Sequence, residues 1–236
     1  MEIIIGILIP FIGTCLGSLL VYFIHKELNK NIENCIYGLA SGVMIAASIW
    51  SLLIPAIELT KGILIFPVII GFTLGIVVFC FYDIYLMKKS DHNIMIAMTI
   101  HNIPEGMAVG ICFASYLMGL VTLSSCYVLT LGIALQNFPE GTVVSLPLLK
   151  KGYSKNKAFL YGVLSAFFEL LGAVITLMFT SIVKFIFPYF LSFAAGAMFY
   201  VVIHELIPES SDGTQSNTYG FLLGFLIMMI LDVYLG

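Results

Sequence analysis

Residues 93–117 read NIMIAMTIHNIPEGMAVGICFASYL, and residues 120–148 read LVTLSSCYVLTLGIALQNFPEGTVVSLPL. Each run exceeds the roughly 20 residues that an α-helix needs to cross a bilayer. Neither alternates apolar with polar residues as a half-buried strand does. In lipid, backbone groups must be satisfied within the segment or by a closed barrel, so both runs are expected as transmembrane helices. Their middles are nonetheless polar. The first carries His101-Asn102-Ile103-Pro104-Glu105-Gly106, the second Gln136-Asn137-Phe138-Pro139-Glu140-Gly141. Consecutive spans cross in opposite directions. One motif is therefore presented twice in antiparallel sense, as at a pseudo-two-fold site near the bilayer midplane.

The rest of the chain follows the same pattern. Of its 236 residues 61% are apolar and only 10% are charged, against roughly 25% charged in an average soluble domain. Mean hydropathy is +1.09. A soluble fold of this size could not hide so much apolar surface. Soluble enzymes, nucleic-acid-binding proteins and disordered regulators are thereby excluded. Polar punctuation divides the chain into segments at about 3–24, 36–58, 63–87, 93–117, 120–148, 157–181, 187–209 and 217–235. The expectation is an all-α polytopic membrane protein with eight transmembrane helices, forming one domain over residues 1–236. The start, Met1-Glu2, has no basic n-region, so the first apolar run reads as a retained span.

All ten basic residues are lysine, which removes bidentate arginine clamps from consideration. Lys26, Lys30, Lys88, Lys89, Lys150, Lys151, Lys155 and Lys157 fall after spans one, three and five. Only Lys61 and Lys184 fall after spans two, four and six. Positive residues stay cytoplasmic, so both termini are expected outside. Small-xxx-small pairs, Gly13/Gly17, Gly38/Gly42, Gly71/Gly75, Gly106/Gly110 and Gly220/Gly224, read as helix-packing positions. The five cysteines form no Cys-x-x-Cys pair and read as small apolar filler.

An ionisable side chain within a span costs on the order of 3 kcal/mol on insertion scales, so each one needs a reason. Besides the two motifs, Glu169 lies in span six and His204-Glu205-Leu206-Ile207-Pro208-Glu209 in span seven. His101 and Glu105 are four apart and share a helix face, as do Gln136 and Glu140. Asn102 and Glu105, and Asn137 and Glu140, are three apart and supply a second, adjacent set. Pro104 and Pro139 free the carbonyls of Ile100 and Leu135. One imidazole with amide oxygens and carboxylates suits zinc, iron, manganese or cadmium. Simpler readings stand beside this one. A single Pro-kinked helix is a hinge, Glu169 alone is a buried protonated acid, and the span-seven run is an interfacial end. Asp83 and Asp232 lie near span ends and read as interfacial. Met44 and Ser51 in span two are candidates to line the pathway, but apolar packing is the better reading.

On these residues the chain resembles the ZIP (Zrt/Irt-like) family of divalent metal transporters, in particular its GufA-like prokaryotic branch. The resemblance covers essentially the whole chain and rests on the paired Pro-Glu-Gly motifs, Glu169 and the His204–Glu209 run. It implies a 3+2+3 bundle of helices with an inverted repeat in the plasma membrane. It implies one metal site from His101, Glu105, Gln136 and Glu140. A second would use Asn102, Asn137 and Glu169, with Glu105 and Glu140 bridging. His204 and Glu205 would line the path toward the cytoplasm. Members import zinc and related divalent ions without ATP, commonly as homodimers, by an elevator-like motion of spans one, four, five and six. The metal is cargo, and no cofactor is implied. Two departures stand out. The loop after span three, often long and histidine-rich, is reduced to Lys88-Lys89-Ser90-Asp91-His92, and Asn137 stands where some relatives carry aspartate.

Two other classes compete, an intramembrane metalloenzyme and a passive channel. A zinc protease needs His-Glu-x-x-His, and the only His-Glu pair here runs on to Pro208. A di-iron bundle needs Glu-x-x-His pairs, which are absent from these motifs. A passive cation channel remains an alternative, since carboxylate rings also conduct.

Overall fold

The structure, a computed structural model, describes residues 1–24, 29–60, 65–85, 93–119, 121–209 and 215–235. The side chains of residues 82, 85, 93–98, 100, 101, 104, 180–185, 209 and 235 lie outside the described set. Within it the chain is helical, with eight long helices and no strand among the described residues. The first four are α1 (Glu2–Leu19), α2 (Lys30–Ala47), α3 (Phe66–Tyr85) and α4 (Asn93–Leu117). The second four are α5 (Leu123–Lys150), α6 (Lys155–Met178), α7 (Thr180–Val201) and α8 (Ser216–Leu235). Among the described residues, five stretches are long and apolar enough to cross a membrane: Glu2–Tyr22, Lys30–Leu59, Lys155–Met178, Ile186–Leu206 and Ser216–Tyr234.

Local chemistry sets several boundaries. The side chains of Asn29, Thr122 and Ser154 accept hydrogen bonds from the backbone N–H groups of Asn31, Ser125 and Lys157, capping α2, α5 and α6 at their first turns. Gly119 and Gly152 adopt φ of 71° and 85°, a left-handed geometry that favours glycine, and turn the chain after α4 and α5. Two starts fall well before the expected positions, while the others lie within a few residues of them. Helix α2 begins at Lys30, six residues before position 36, because the Asn29 cap lets its polar first turn continue the helix. Helix α7 begins at Thr180, with only Phe179 between it and the end of α6. The run from Thr180 to Phe187 holds no glycine or proline to make a loop, so the break falls on Phe179 alone, at φ −119° and ψ 28°. Lys184 therefore sits within α7 and not in a connecting loop.

Two helices change pitch. Helix α2 continues through a π-helical turn at Ser48–Leu53 into Ile54–Leu59. Helix α7 continues through another at Val202–Leu206 into Ile207–Glu209. Each turn leads into Leu-Ile-Pro, at 53–55 and 206–208. Proline lacks the N–H that would close the preceding turn, and a wider turn accommodates the gap.

Glycines decide which helices touch. A Cβ on Gly13 or Gly17 would overlap the backbone of Ala134 or Phe138, and one on Gly141 the carbonyl of Thr14, joining α1 to α5. Gly106 and Gly110 face Glu169 and Ala173, and Gly172 faces Ile103, joining α4 to α6. Gly38, Gly42, Gly220 and Gly224 join α2 to α8, while Gly71, Gly75 and Gly196 join α3 to α7. Gly162 meets the hydroxyls of Ser18 and Ser145, fixing α6 against α1 and α5. Among the described residues these backbone approaches stay within α1, α4, α5 and α6, or within α2, α3, α7 and α8. Side-chain packing spans the two groups, with Met107 and Ala108 of α4 in one apolar cluster with Ala194 and Met198 of α7. An ion pair between Lys150 of α5 and Glu33 of α2 also crosses between them, with the ammonium 6.0 Å from the centre of the Tyr37 ring.

Replacing Gly17 with leucine is expected to abolish folded protein, because the Phe138 carbonyl already occupies the space. Gly132→Ala, where an added Cβ meets nothing within 4 Å, is expected to hold or raise stability by up to about 1 kcal/mol. Thermal unfolding in detergent compares them. Equal losses for the two variants would remove glycine contact as the basis of the α1–α5 pair.

Candidate metal site

Three helices meet where the paired motifs fall. Gly106, directly after Glu105, lies against the Glu169 carbonyl, and Gly141, directly after Glu140, lies against α1. The glycine of each Pro-Glu-Gly run thus lets a neighbouring backbone approach at the level of the acid. Asn102, Glu105, Gln136, Asn137, Glu140 and Glu169 are all buried, with Glu169 only 2% exposed. Helix α5 runs unbroken through Pro139, so its polar face stays in register.

The side chains are joined amide to acceptor. Gln136 Nε2 donates to Glu105 Oε1 at 2.7 Å, and Asn137 Nδ2 donates to Glu169 Oε2 at 3.0 Å. Asn102 Nδ2 donates to Ser165 Oγ at 3.2 Å and also reaches the Glu140 carboxylate. An ionised carboxylate only accepts, so each amide turns its nitrogen toward an acid and its oxygen away. Asn102 Oδ1, Gln136 Oε1, Asn137 Oδ1 and Glu169 Oε1 are buried and receive no hydrogen bond. A buried polar atom left in this way costs roughly 1–3 kcal/mol. A cation supplies what four such oxygens lack, and oxygen donors with carboxylate charge suit a divalent ion.

Among the described residues no three His, Cys, Asp and Glu side chains are arranged to hold a metal. Half of this cluster is amide, and the His101 side chain lies outside the described residues, although its backbone belongs to α4. The cluster therefore brings together six of the nine expected residues.

His204 and Glu205 occupy the π-helical turn of α7 and have a different neighbour. His204 Nε2 lies 3.4 Å from Asp83 Oδ2 of α3, and Tyr200 donates to the same carboxylate oxygen at 3.1 Å. The Tyr200 and His204 rings stack at 5.1 Å. Both Glu205 oxygens are buried without a hydrogen bond. Asp83, expected as an interfacial acid, thus meets the His204 imidazole and the Tyr200 hydroxyl. At the equivalent turn of α2, Ser51 donates to Asp232 Oδ1 at 2.8 Å. These two residues line a cavity of about 420 Å³ with Glu58, Ser124 and Ser125. Ser51 is therefore not simple packing. The shared Leu-Ile-Pro run is a sequence signal that gives Ser51 and His204 the same register, each two positions before its leucine. Met44 is buried in the apolar core, as expected.

Comparison with known proteins places these features in a family. Residues 91–232 match the family model described as ZIP Zinc transporter. The chain is 34% identical to "Zinc transporter GufA" of Myxococcus xanthus, with 95% of each chain covered. It is 30% identical to "Zinc transporter ZIP11" of Homo sapiens, with 94% of each covered. It is 31% identical to "Zinc transporter ZIPB" of Bordetella bronchiseptica, over 96% of this chain and 79% of that one.

A ligand that binds only the folded state raises stability, by roughly 2.7 kcal/mol at a hundredfold excess over Kd. Titrating a divalent transition metal into the purified protein is expected to raise Tm, whereas magnesium, which holds its waters, is expected to leave it unchanged. Gln136→Leu removes one of the buried oxygens and should take away most of the gain. An equal rise with Gln136→Leu would exclude Gln136 from the site.

Proposed function

We propose, from the premise that the chain belongs to the ZIP zinc transporter family, that it carries zinc across a membrane through the α4–α6 cluster. The family is one of transporters, and an intramembrane metalloenzyme is set aside. The observation that carries the proposal is the set of four buried oxygens at Asn102, Gln136, Asn137 and Glu169 that accept no hydrogen bond. They surround acids whose charges need a cation in low dielectric.

In this reading a binuclear site is formed. One metal takes His101, Glu105, Gln136 and Glu140. The other takes Asn102, Asn137 and Glu169, with Glu105 and Glu140 bridging. Iron, manganese and cadmium are further ions that such donors accept. His204 and Glu205, joined by Asp83, form a relay at the far end of α7. The architecture is a single domain over residues 1–236, a 3+2+3 bundle of eight spans with an inverted repeat. The pairing of α1 with α5 and α6 with α4, and of α2 with α8 and α7 with α3, supports it. Alternating access follows if α1, α4, α5 and α6 move as a body, because backbone contacts at glycine lie within that group. The chain resides in the plasma membrane with both termini outside, as the lysine distribution argues, and works as a homodimer.

Zinc uptake into proteoliposomes tests this. Glu105→Ala is expected to abolish binding at both positions and Glu169→Ala to weaken one. Two zinc ions bound by Glu105→Ala in calorimetry would overturn the bridging role. Uptake should saturate with zinc, whereas a channel would give flux that keeps rising.

A second outcome concerns pH. Metal must displace protons from its ligands, and an imidazole titrates near 6.5 in the absence of perturbation. Protonated His101 cannot coordinate, so uptake at limiting, constant free zinc is expected to fall as outside pH drops from about 7.5 to about 5.5. His101→Gln keeps an oxygen donor without a titrating group and should flatten part of the fall. Uptake that stays level across the window in the unaltered protein would contradict proton displacement.

A further inference from the structure

We propose that Ser165 is a positioning residue for the transported metal. Its hydroxyl oxygen holds the nitrogen end of the Asn102 amide, so that the oxygen end faces the buried acids. The inference rests on the reading that Asn102 contributes a ligand to the second metal.

The two ends of an amide are nearly equal in shape and opposite in chemistry. One end accepts from a donor or coordinates a cation; the other carries two N–H groups and repels it. A half-turn of the Asn102 side chain would therefore convert a ligand into an obstacle. Nothing in the residue itself prevents that turn, so something outside it must.

Two groups hold the Asn102 nitrogen, the Glu140 carboxylate and Ser165 Oγ at 3.2 Å. They are not equivalent. Glu140 is itself placed at the metal, and an acid that coordinates a cation gives up lone pairs to it. Ser165 is neutral and keeps its acceptor whether cargo is present or not. Its oxygen also accepts from Thr99 Oγ1 at 3.3 Å, so the two acceptor lone pairs of one hydroxyl serve two residues of α4. The residue is fully buried.

The acceptor is fixed by the backbone. Ser165 sits one turn before Glu169 on the same face of α6. That face is clamped to α4 by Gly106 against Glu169 and by Gly172 against Ile103. Asn102 Oδ1 is left buried and without a donor, the arrangement expected if the amide is turned for a cation and not for hydrogen bonding.

A double-mutant cycle tests the role, with zinc chloride titrated into purified Ser165→Ala, Asn102→Ala and the double variant, and zinc uptake measured in proteoliposomes. Removing the partner that orients a ligand typically costs tenfold or more in metal affinity. Ser165→Ala is expected to raise the KM for zinc about tenfold while Vmax stays within about twofold. The double variant should bind no more weakly than Asn102→Ala alone, because Ser165 acts through Asn102. Should Ser165→Ala fold poorly, Ser165→Cys fills the position with a slightly larger group that is a weaker acceptor and should show a smaller rise in KM. An equal penalty for Ser165→Ala in both backgrounds would mean a purely structural role and overturn the proposal. Normal affinity in both Ser165 variants, with affinity lost in Asn102→Ala, would overturn it while leaving Asn102 a ligand. Full zinc affinity in Asn102→Ala would overturn the ligand reading and this inference with it.

Discussion

A helix in lipid gains nothing by burying leucine against another helix, since the lipid tails are equally apolar. Association must come from close packing and from polar contacts. In this protein the close packing is supplied by glycine, and the consequence is a specific set of neighbours. Gly17 lies on the Phe138 carbonyl, Gly106 on that of Glu169, Gly42 on that of Phe221 and Gly75 on that of Phe193. Each contact brings two backbones nearer than any side chain would allow. The position of every buried polar group follows from which helices are brought together.

The polar cluster exists because α4, α5 and α6 are held at that distance. Three acids in a lipid-embedded interior are unfavourable unless compensated. The amides of Gln136 and Asn137 compensate in part by donating to Glu105 and Glu169. They do so with only one end. The oxygen left at the other end of each amide makes the interior more demanding of a cation, not less. The cluster is therefore balanced for a state in which positive charge is present, as the proposed cargo site requires.

The helix pairing also separates two kinds of contact. Within each group of four helices, glycine places backbone on backbone, which tolerates little sliding. Between the groups, contact is by side chains such as Met107 and Met198 and by the Lys150–Glu33 ion pair, where the lysine side chain is 45% exposed. Flexible side chains and a partly solvated ion pair cost little to rearrange. Relative motion of the two groups is thus permitted where the packing is soft, and the proposed transport cycle uses that boundary.

Much of this was determined by the sequence alone. Long apolar runs admit only helices in lipid, and the repeated Pro-Glu-Gly motif marked the residues on α4 and α5 because an acid in mid-span needs a reason. Glu169 and the His204–Glu205 pair stood out for the same cause. Tertiary structure alone decided the rest. The spacing of Asn102 and Glu105 says nothing about Ser165, which is 63 residues from Asn102 and chemically ordinary until α6 is clamped to α4. Asp83 read as an interfacial acid because its partners, Tyr200 and His204, belong to a helix far along the chain. The early start of α7 at Thr180 was missed for a different cause, since a single residue, Phe179, makes the turn from α6 where the sequence reading allowed a loop. Periodicity and cost are properties of a segment and can be read within it. Which two segments share a glycine contact depends on distances that no segment contains.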